Sequence, residues 1–203
     1  MRIGVLVSGS GSNLQALIEH VHGRSATIAG VCSSNHEAYA LERARGAGIE
    51  SAVFPLAAYG GERDARDRAM ADWLAERGVG LVVCAGFMGV LGADFLTRFP
   101  ARVLNLHPSL LPAFPGAHAI EDAYAAGVPE TGVTVHLVDE VLDGGPVVAQ
   151  SSLPVNYDED SEGLRTRIHE VEHRLLPAAV RALGEGRLVV EGRIVRVVQA
   201  VPR

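Results

Sequence analysis

Ile3-Gly4-Val5-Leu6-Val7-Ser8-Gly9-Ser10-Gly11-Ser12-Asn13-Leu14 is an apolar run that breaks at a serine and glycine turn and opens into a helical pattern, Asn13 to Val21. A strand feeding through glycines into a helix is the first half of a βαβ unit. The rhythm continues with a strand at Thr27 to Ser33, an alanine-rich helix at Glu37 to Arg45, a short strand at Ser51 to Phe54, and a helix at Glu62 to Arg77 ended by Gly78. Val79 to Ala85 (VGLVVCA) is apolar nearly throughout, as in a strand buried on both faces of a parallel sheet. Arg102 to His107 is the next strand, and a proline-rich loop, Pro108 to Gly116, follows it.

Further on, Thr131 to Val138 and Val147 to Leu153 are strands around an irregular loop, Asp139 to Pro146. A long helix spans Asp160 to about Leu183, and two β-branched runs around Glu191 and Gly192, Leu188 to Val198, read as a hairpin. The expected fold is α/β and Rossmann-like: a mostly parallel twisted sheet with helices on both faces and a C-terminal β-hairpin. Neither a repeat nor a linker offers a boundary, so residues 1–203 are expected to form a single domain, at about 150 residues per domain.

Composition narrows the function. With 18 basic and 24 acidic residues the net charge is −6, and the charges are dispersed, which argues against a nucleic-acid groove with its basic stripe. An apolar share of 48% excludes a disordered chain. Cys32 and Cys84 each lie in an apolar run and read as buried thiols in a reducing compartment. No apolar stretch approaches the roughly 20 residues of a membrane span, and the N-terminal apolar run is too short for a signal peptide. A cytoplasmic enzyme or binding protein, a monomer or homodimer acting on small molecules, is what remains.

Three places can carry chemistry. The turn at Gly9, Ser10, Gly11, Ser12 and Asn13 either caps a helix through Ser12 or offers backbone N–H groups to a phosphate. A dinucleotide fingerprint would need a glycine where Leu14 stands and an acid ending the second strand, where Ser33-Ser34-Asn35 stands, so a phosphate monoester suits it better than NAD. Asn105 and His107, two apart on a strand, point to the same face, and Pro108 holds His107 extended. They either satisfy one another's surroundings at a strand end or form an amide and imidazolium pair for an oxyanion. Asp143, flanked by Val141 and Leu142, is expected to be tucked inward by those apolar neighbours and to orient and charge His107. With neither cysteine nor serine adjacent, direct transfer is favoured over a covalent intermediate.

His169-Glu170-Val171-Glu172-His173 matches the H-E-x-x-H pattern of zinc proteases. Charged Glu172, a helix-disrupting Pro177 and the lack of a third ligand downstream weigh against metal. His169 and Glu172, i and i+3 on one helix face, remain as ligand contacts.

Taken together, VLVSGSGSNLQALI at the start, ERARGAGI (42–49), VVCAGFM (82–88), LNLHPSLLPAFPG (104–116), TGVTVHLVDEVLDGGPVVAQ (131–150) and IHEVEHRLLP (168–177) resemble phosphoribosylglycinamide formyltransferase, the folate-dependent transformylase of purine synthesis. HPSLLP and LDGGP carry the likeness to folate-dependent formyl transfer, and GSGSN with the EHRLLP helix narrows it to the glycinamide enzyme. The resemblance implies a formyltransferase fold and 10-formyltetrahydrofolate as co-substrate, without a metal. It implies that Gly11, Ser12 and Asn13 hold the substrate phosphate, with His169 and Glu172 near its ribose and glycyl parts. It places the folate among Arg63, Met88, Gly89, Val90, Leu91, Asn105, Asp139, Glu140, Val141 and Asp143, and makes Asn105, His107 and Asp143 the catalytic trio. Gly89 stands where many members have Arg, and Ala113 where some have Lys.

Formyltetrahydrofolate deformylase shares the trio but carries a regulatory domain ahead of the glycine turn, for which a first strand at Ile3 is expected to leave no room. Methionyl-tRNA formyltransferase would need a further C-terminal domain and a basic surface. A zinc protease built on residues 169–173 and a phosphate-binding module without catalysis are the alternatives of different class.

Overall fold

The structure, a computed structural model, describes residues 1–197. Val198, the end of the expected hairpin, lies outside the described residues. The chain groups into two compact units, Met1–Asn105 and Leu106 onward.

Unit 1 is a parallel sheet wrapped by helices. Its first strand, β1 (Arg2–Val7), pairs in parallel with β2 (Thr27–Ser33) on one side and with β4 (Leu81–Cys84) on the other. Beyond these lie β3 (Ser51–Val53) and β5 (Val103–His107), giving the order β3-β2-β1-β4-β5. The division between the units falls within β5. Val5, Leu6 and Val7 are fully buried, as are Val82 and Val83, which explains the continuous apolar runs of the sequence. Fully burying each such side chain contributes about 1.5–3 kcal/mol. Leu6 pairs with Cys32 on one side and Cys84 on the other. Two strand spacings, about 9.5 Å, put the thiols out of disulfide reach. Burial pushes both well above the ordinary thiol range, Cys84 to about 12.

The helices are α1 (Ser12–His20), α2 (Ala40–Gly46), α3 (Arg63–Glu76) and α4 (Ala93–Arg98), with a 3-10 turn at Leu56–Tyr59. α1 buries Leu14 and Leu17, and α3 buries Met70, Ala71 and Leu74 on the same kind of stripe. α2 starts three residues later than its alanine pattern suggests. The Asn35 side chain accepts the Glu37 N–H at 3.0 Å and Ser33 Oγ donates to the Asn35 carbonyl, so this stretch forms a side-chain-bonded turn instead of helix. With only six residues, α4 is too short to show a period.

Unit 2 holds the antiparallel pair β6 (Glu130–Leu137) and β7 (Val147–Pro154), the helices α5 (Ala119–Ala125) and α6 (Ser161–Gly184), and the hairpin β8 (Leu188–Glu191) with β9 (Ile194–Val197). Its core joins Ile120, Val133, Leu153, Leu164, Ile168 and Val171, with Leu106 and Tyr124 packed against it. Asp160 caps α6 by accepting the Gly163 N–H at 2.9 Å. Contrary to the sequence expectation, Pro177 does not disrupt this helix, which runs on to Gly184. Leu176, Ala179 and Val180 are all buried around it, and their packing outweighs the hydrogen bond that a proline cannot donate. Among the described residues, no helix is long and apolar enough to cross a membrane.

Candidate active site

A buried polar cluster of unit 2 forms around His107, the last residue of β5. Its ring is buried, and Nε2 donates to the Phe114 carbonyl at 2.8 Å while Nδ1 faces Asp143 Oδ2 at 3.5 Å. Nε2 thus has a hydrogen-bonded carbonyl, and Nδ1 a carboxylate oxygen at ion-pair range. Asp143 in turn accepts the Gly116 N–H at 2.8 Å, and its other oxygen lies 3.7 Å from His136 Nε2. The carboxylate is buried, with 7% of the side chain exposed.

That burial arises differently from the sequence expectation. Val141 and Leu142 are each 65% exposed, so they do not tuck the carboxylate inward. It is held instead by the Gly116 N–H and lies beside the two histidine rings, on a residue whose φ of 52° is the left-handed region. The loop backbone is closed by Gly144 N bonding Val141 O and Leu137 N bonding Pro146 O, both at 2.9 Å. Asp139 accepts the Val141 N–H at 2.9 Å, and Arg193 of the hairpin donates to Gly144 O at 2.6 Å. Glu140 is exposed at the loop tip.

The proline loop aims the other partners. Thr134 Oγ1 donates to the Ser109 carbonyl at 2.7 Å and accepts the Leu111 N–H at 3.1 Å; Gln150 Nε2 donates to Leu111 O and to Thr134, both at 2.9 Å. Ser109 Oγ donates to Ala113 O at 2.5 Å. This lattice runs through the cis Leu111–Pro112 bond to Phe114, itself at a positive φ of 51°, whose carbonyl receives His107. A non-glycine residue held there is disfavoured, and such positions persist where surroundings over-determine them.

His136 belongs to this cluster, and the sequence reading did not single it out. Its Nδ1 donates to the Leu137 carbonyl at 3.0 Å, and burial holds its pKa below the usual histidine range, against the raising influence of that bond and of Asp143. The available signal was a lone imidazole in the apolar strand TGVTVHLV. Asn105 precedes His107 by two residues on β5 and so shares its face.

Also in unit 2, α6 brings His169 and Glu172 together. His169 Nδ1 meets Glu172 Oε2 at 2.9 Å, and that hydrogen bond, ahead of the opposing burial, raises the histidine pKa. Glu172 is buried and His169 half-exposed. The His173 ring stacks on His169 at 6.2 Å. Among the described residues, no three or more His, Cys, Asp or Glu are grouped to hold a metal ion.

In unit 1 the glycine turn ends at Gly11, which is the N-cap of α1 at a φ of 71°. Ser12 is the first helical residue, and α1 has no side-chain cap hydrogen bond. A Cβ on Gly11 would lie 2.6 Å from the Ala40 Cβ and 2.7 Å from its Cα, so glycine is required twice over. The opening N–H groups of the helix, at Ser12 and Asn13, have no intrahelical carbonyl to bond. Arg43, also missed by sequence reading, braces the turn by donating to Ser10 O at 2.9 Å and Gln15 Oε1 at 3.1 Å. The folate candidates of this unit are the loop Met88 to Leu91, between β4 and α4, and Arg63, the exposed first residue of α3.

Residues 1–180 match the formyl transferase family. Phosphoribosylglycinamide formyltransferase of Mycobacterium tuberculosis is 45% identical over 192 residues, covering 95% of this chain and 89% of the relative. The enzyme of the same name from Escherichia coli K12 is 38% identical over 190 residues, covering 93% and 89%. The crystal structure of glycinamide ribonucleotide transformylase 1 from Symbiobacterium toebii superposes with a TM-score of 0.94 at 47% identity, covering 98% of this chain and 94% of that one. A parallel sheet with a glycine turn at its first helix, a buried histidine and aspartate pair, and these likenesses along almost the whole chain place it in the formyl transferase family, among the phosphoribosylglycinamide formyltransferases.

Proposed function

We propose that this chain transfers the formyl group of 10-formyltetrahydrofolate, a co-substrate, to the amine of 5'-phosphoribosylglycinamide, giving the formylated ribonucleotide of purine biosynthesis. It acts in the cytoplasm on small molecules, as a monomer or homodimer, with the whole chain serving as one formyltransferase domain. The observation that carries this reading is the buried His107 and Asp143 pair with acceptors at both ring nitrogens, on a chain of this family.

The substrate phosphate sits on the Ser12 and Asn13 N–H groups that Gly11 exposes at the positive end of α1. His169, its positive form favoured by Glu172, meets the ribose and glycyl end with that carboxylate beside it. Met88, Gly89, Val90 and Leu91, with Arg63, take the folate, together with Asp139, Glu140, Val141 and Asp143 of the second loop and Asn105.

The neutral amine attacks the formyl carbon, forming the new C–N bond and placing negative charge on the formyl oxygen. Asn105 donates to that oxyanion, and His107 joins it by turning its Nε2–H from the Phe114 carbonyl to the formyl oxygen when substrate is bound, while Asp143 at Nδ1 keeps the ring oriented. The C–N10 bond then breaks, and a proton passes from the attacking nitrogen to N10, carried by His107 or a water on Asp143. Atoms balance without a covalent enzyme intermediate.

The test is to mix the protein with both substrates and follow deformylated folate with and without the amine. Folate product formed only in step with formylated amine is expected. Product formed equally without the amine would make the chain a hydrolase, and stoichiometric zinc with activity abolished by chelator would replace the reading altogether.

A further inference from the structure

Arg66 and Asp67 are consecutive residues of α3 and almost fully buried, at 4% and 0% exposure. Arg66 Nε and Nη2 both donate to Asp67 Oδ1, at 2.8 and 2.6 Å. An ion pair taken out of water gains little over apolar packing, since desolvation offsets the attraction. This one spends its remaining hydrogen bonds on a single loop. Arg66 Nη2 donates to the Val90 carbonyl at 3.0 Å, and Asp67 Oδ2 accepts the Gly92 N–H at 2.6 Å. From the other side Ser8 Oγ accepts the Met88 N–H at 2.9 Å.

The loop backbone is thus held at every second residue, 88, 90 and 92. What it presents are the side chains of Met88 and Val90, 74% and 55% exposed. Apolar side chains offered to solvent on a fixed backbone suit the face of a flat aromatic ring, because ordering the loop backbone is not charged against binding. Position 89 belongs to the same device. A Cβ there would lie 2.7 and 2.9 Å from carbons of the Phe87 ring and 3.0 Å from Arg66 Nη1, and the guanidinium sits over that ring at 5.6 Å from its centroid.

We propose that Arg66 and Asp67 are positioning residues for the formyl donor: the buried pair fixes the loop that presents Met88 and Val90 to the pterin ring, and Arg66 with Phe87 fills the space a side chain at Gly89 would need. This rests on the reading that Met88 to Leu91 bind the folate. Neither residue touches the reacting atoms, so their loss acts on donor affinity and spares the chemical step.

Equilibrium binding of 10-formyltetrahydrofolate and steady-state kinetics on Gly89→Ala, Asp67→Asn and Arg66→Met test it, alongside thermal melts. Arg66→Met, outside the folate contacts, is expected to raise the donor Kd and KM about tenfold, with kcat and the KM of the amine substrate within about twofold, and Gly89→Ala, which leaves the ion pair in place, to raise the same donor Kd and KM. Asp67→Asn keeps an acceptor for Gly92 and is expected to be milder than Arg66→Met. In the Arg66→Met background the added methyl of Gly89→Ala should cost less than in the wild type, since Nη1 is gone. Wild-type donor affinity in Gly89→Ala, or equal loss of kcat and both KM values in step with melting temperature, overturns the proposal. A wild-type protein that binds no donor overturns the folate reading itself, and this proposal with it.

Discussion

At Gly11 the backbone itself is the proposed binding group, whereas around His107 the backbone serves to aim side chains. The glycine turn sets its backbone N–H groups at the N-terminus of α1 behind a left-handed N-cap, and the close approach of Ala40 leaves no room for a side chain. The His107 cluster is the reverse, a set of buried titratable groups aimed by a lattice of hydroxyl and amide bonds reaching from Ser109 to Gln150. Binding sites of the first kind fail when atoms are added, and those of the second when atoms or charges are removed. The contrast predicts which parameter each substitution moves.

The largest effect is expected at His107. His107→Gln keeps a polar group but cannot carry the ring charge, and kcat should fall by roughly 10²–10⁴ with both substrates still bound, as pre-steady-state and binding measurements would show. Gly11→Ala should do the opposite, raising the KM for phosphoribosylglycinamide about tenfold with a much smaller change in kcat. Strain of about 1–3 kcal/mol at a positive φ should also lower the melting temperature by a few degrees. If Gly11→Ala left that KM intact, the backbone half of the comparison would break.

Two smaller effects appear in stability against pH. Burial holds His136 below the usual histidine value, so below about pH 6.5 the unfolded chain takes up a proton that the native state resists. The contribution of neutral His136 is therefore present above that pH and lost as the pH falls, by up to about 1.4 kcal/mol per unit. In His136→Asn, chemical denaturation between pH 5 and 7 should show a flatter slope by that amount. His169 runs the other way. Its pKa is raised by Glu172, so the pair stabilises below about pH 6.5 and loses its effect as pH rises through the folded value. His169 is half-exposed, and with solvent screening the difference should be under about 1 kcal/mol, vanishing in Glu172→Gln.

The same contrast explains what the sequence disclosed. Asn105 and His107 were legible because alternation on a strand is strictly two-fold, and the parallel strands because their runs are apolar on both faces. Asp143 was legible as a partner, but the cause of its burial was not: Gly116 N–H and His136 reach it through backbone turns that no local pattern records. The Phe114 carbonyl is invisible for the same reason, being a backbone atom whose direction depends on a distant lattice. Arg66 and Asp67 carry no local signal, because their neighbours in α3 are charged too and their hydrogen bonds run to a loop more than twenty residues away. Pro177 misled because helix propensity is weak beside the burial of Leu176, Ala179 and Val180.

The central claim is that Asp143 acts through His107 in the chemical step and not in holding the fold. Asp143→Asn tests it most directly, since an amide oxygen can still accept the Gly116 N–H while the charge facing His107 is lost. Single-turnover formyl transfer should fall by at least about a hundredfold, with the melting temperature and the affinity for the amine substrate near those of the wild type and any loss of donor affinity far smaller than the loss of rate. A variant that folds and turns over at close to the wild-type rate would contradict the account.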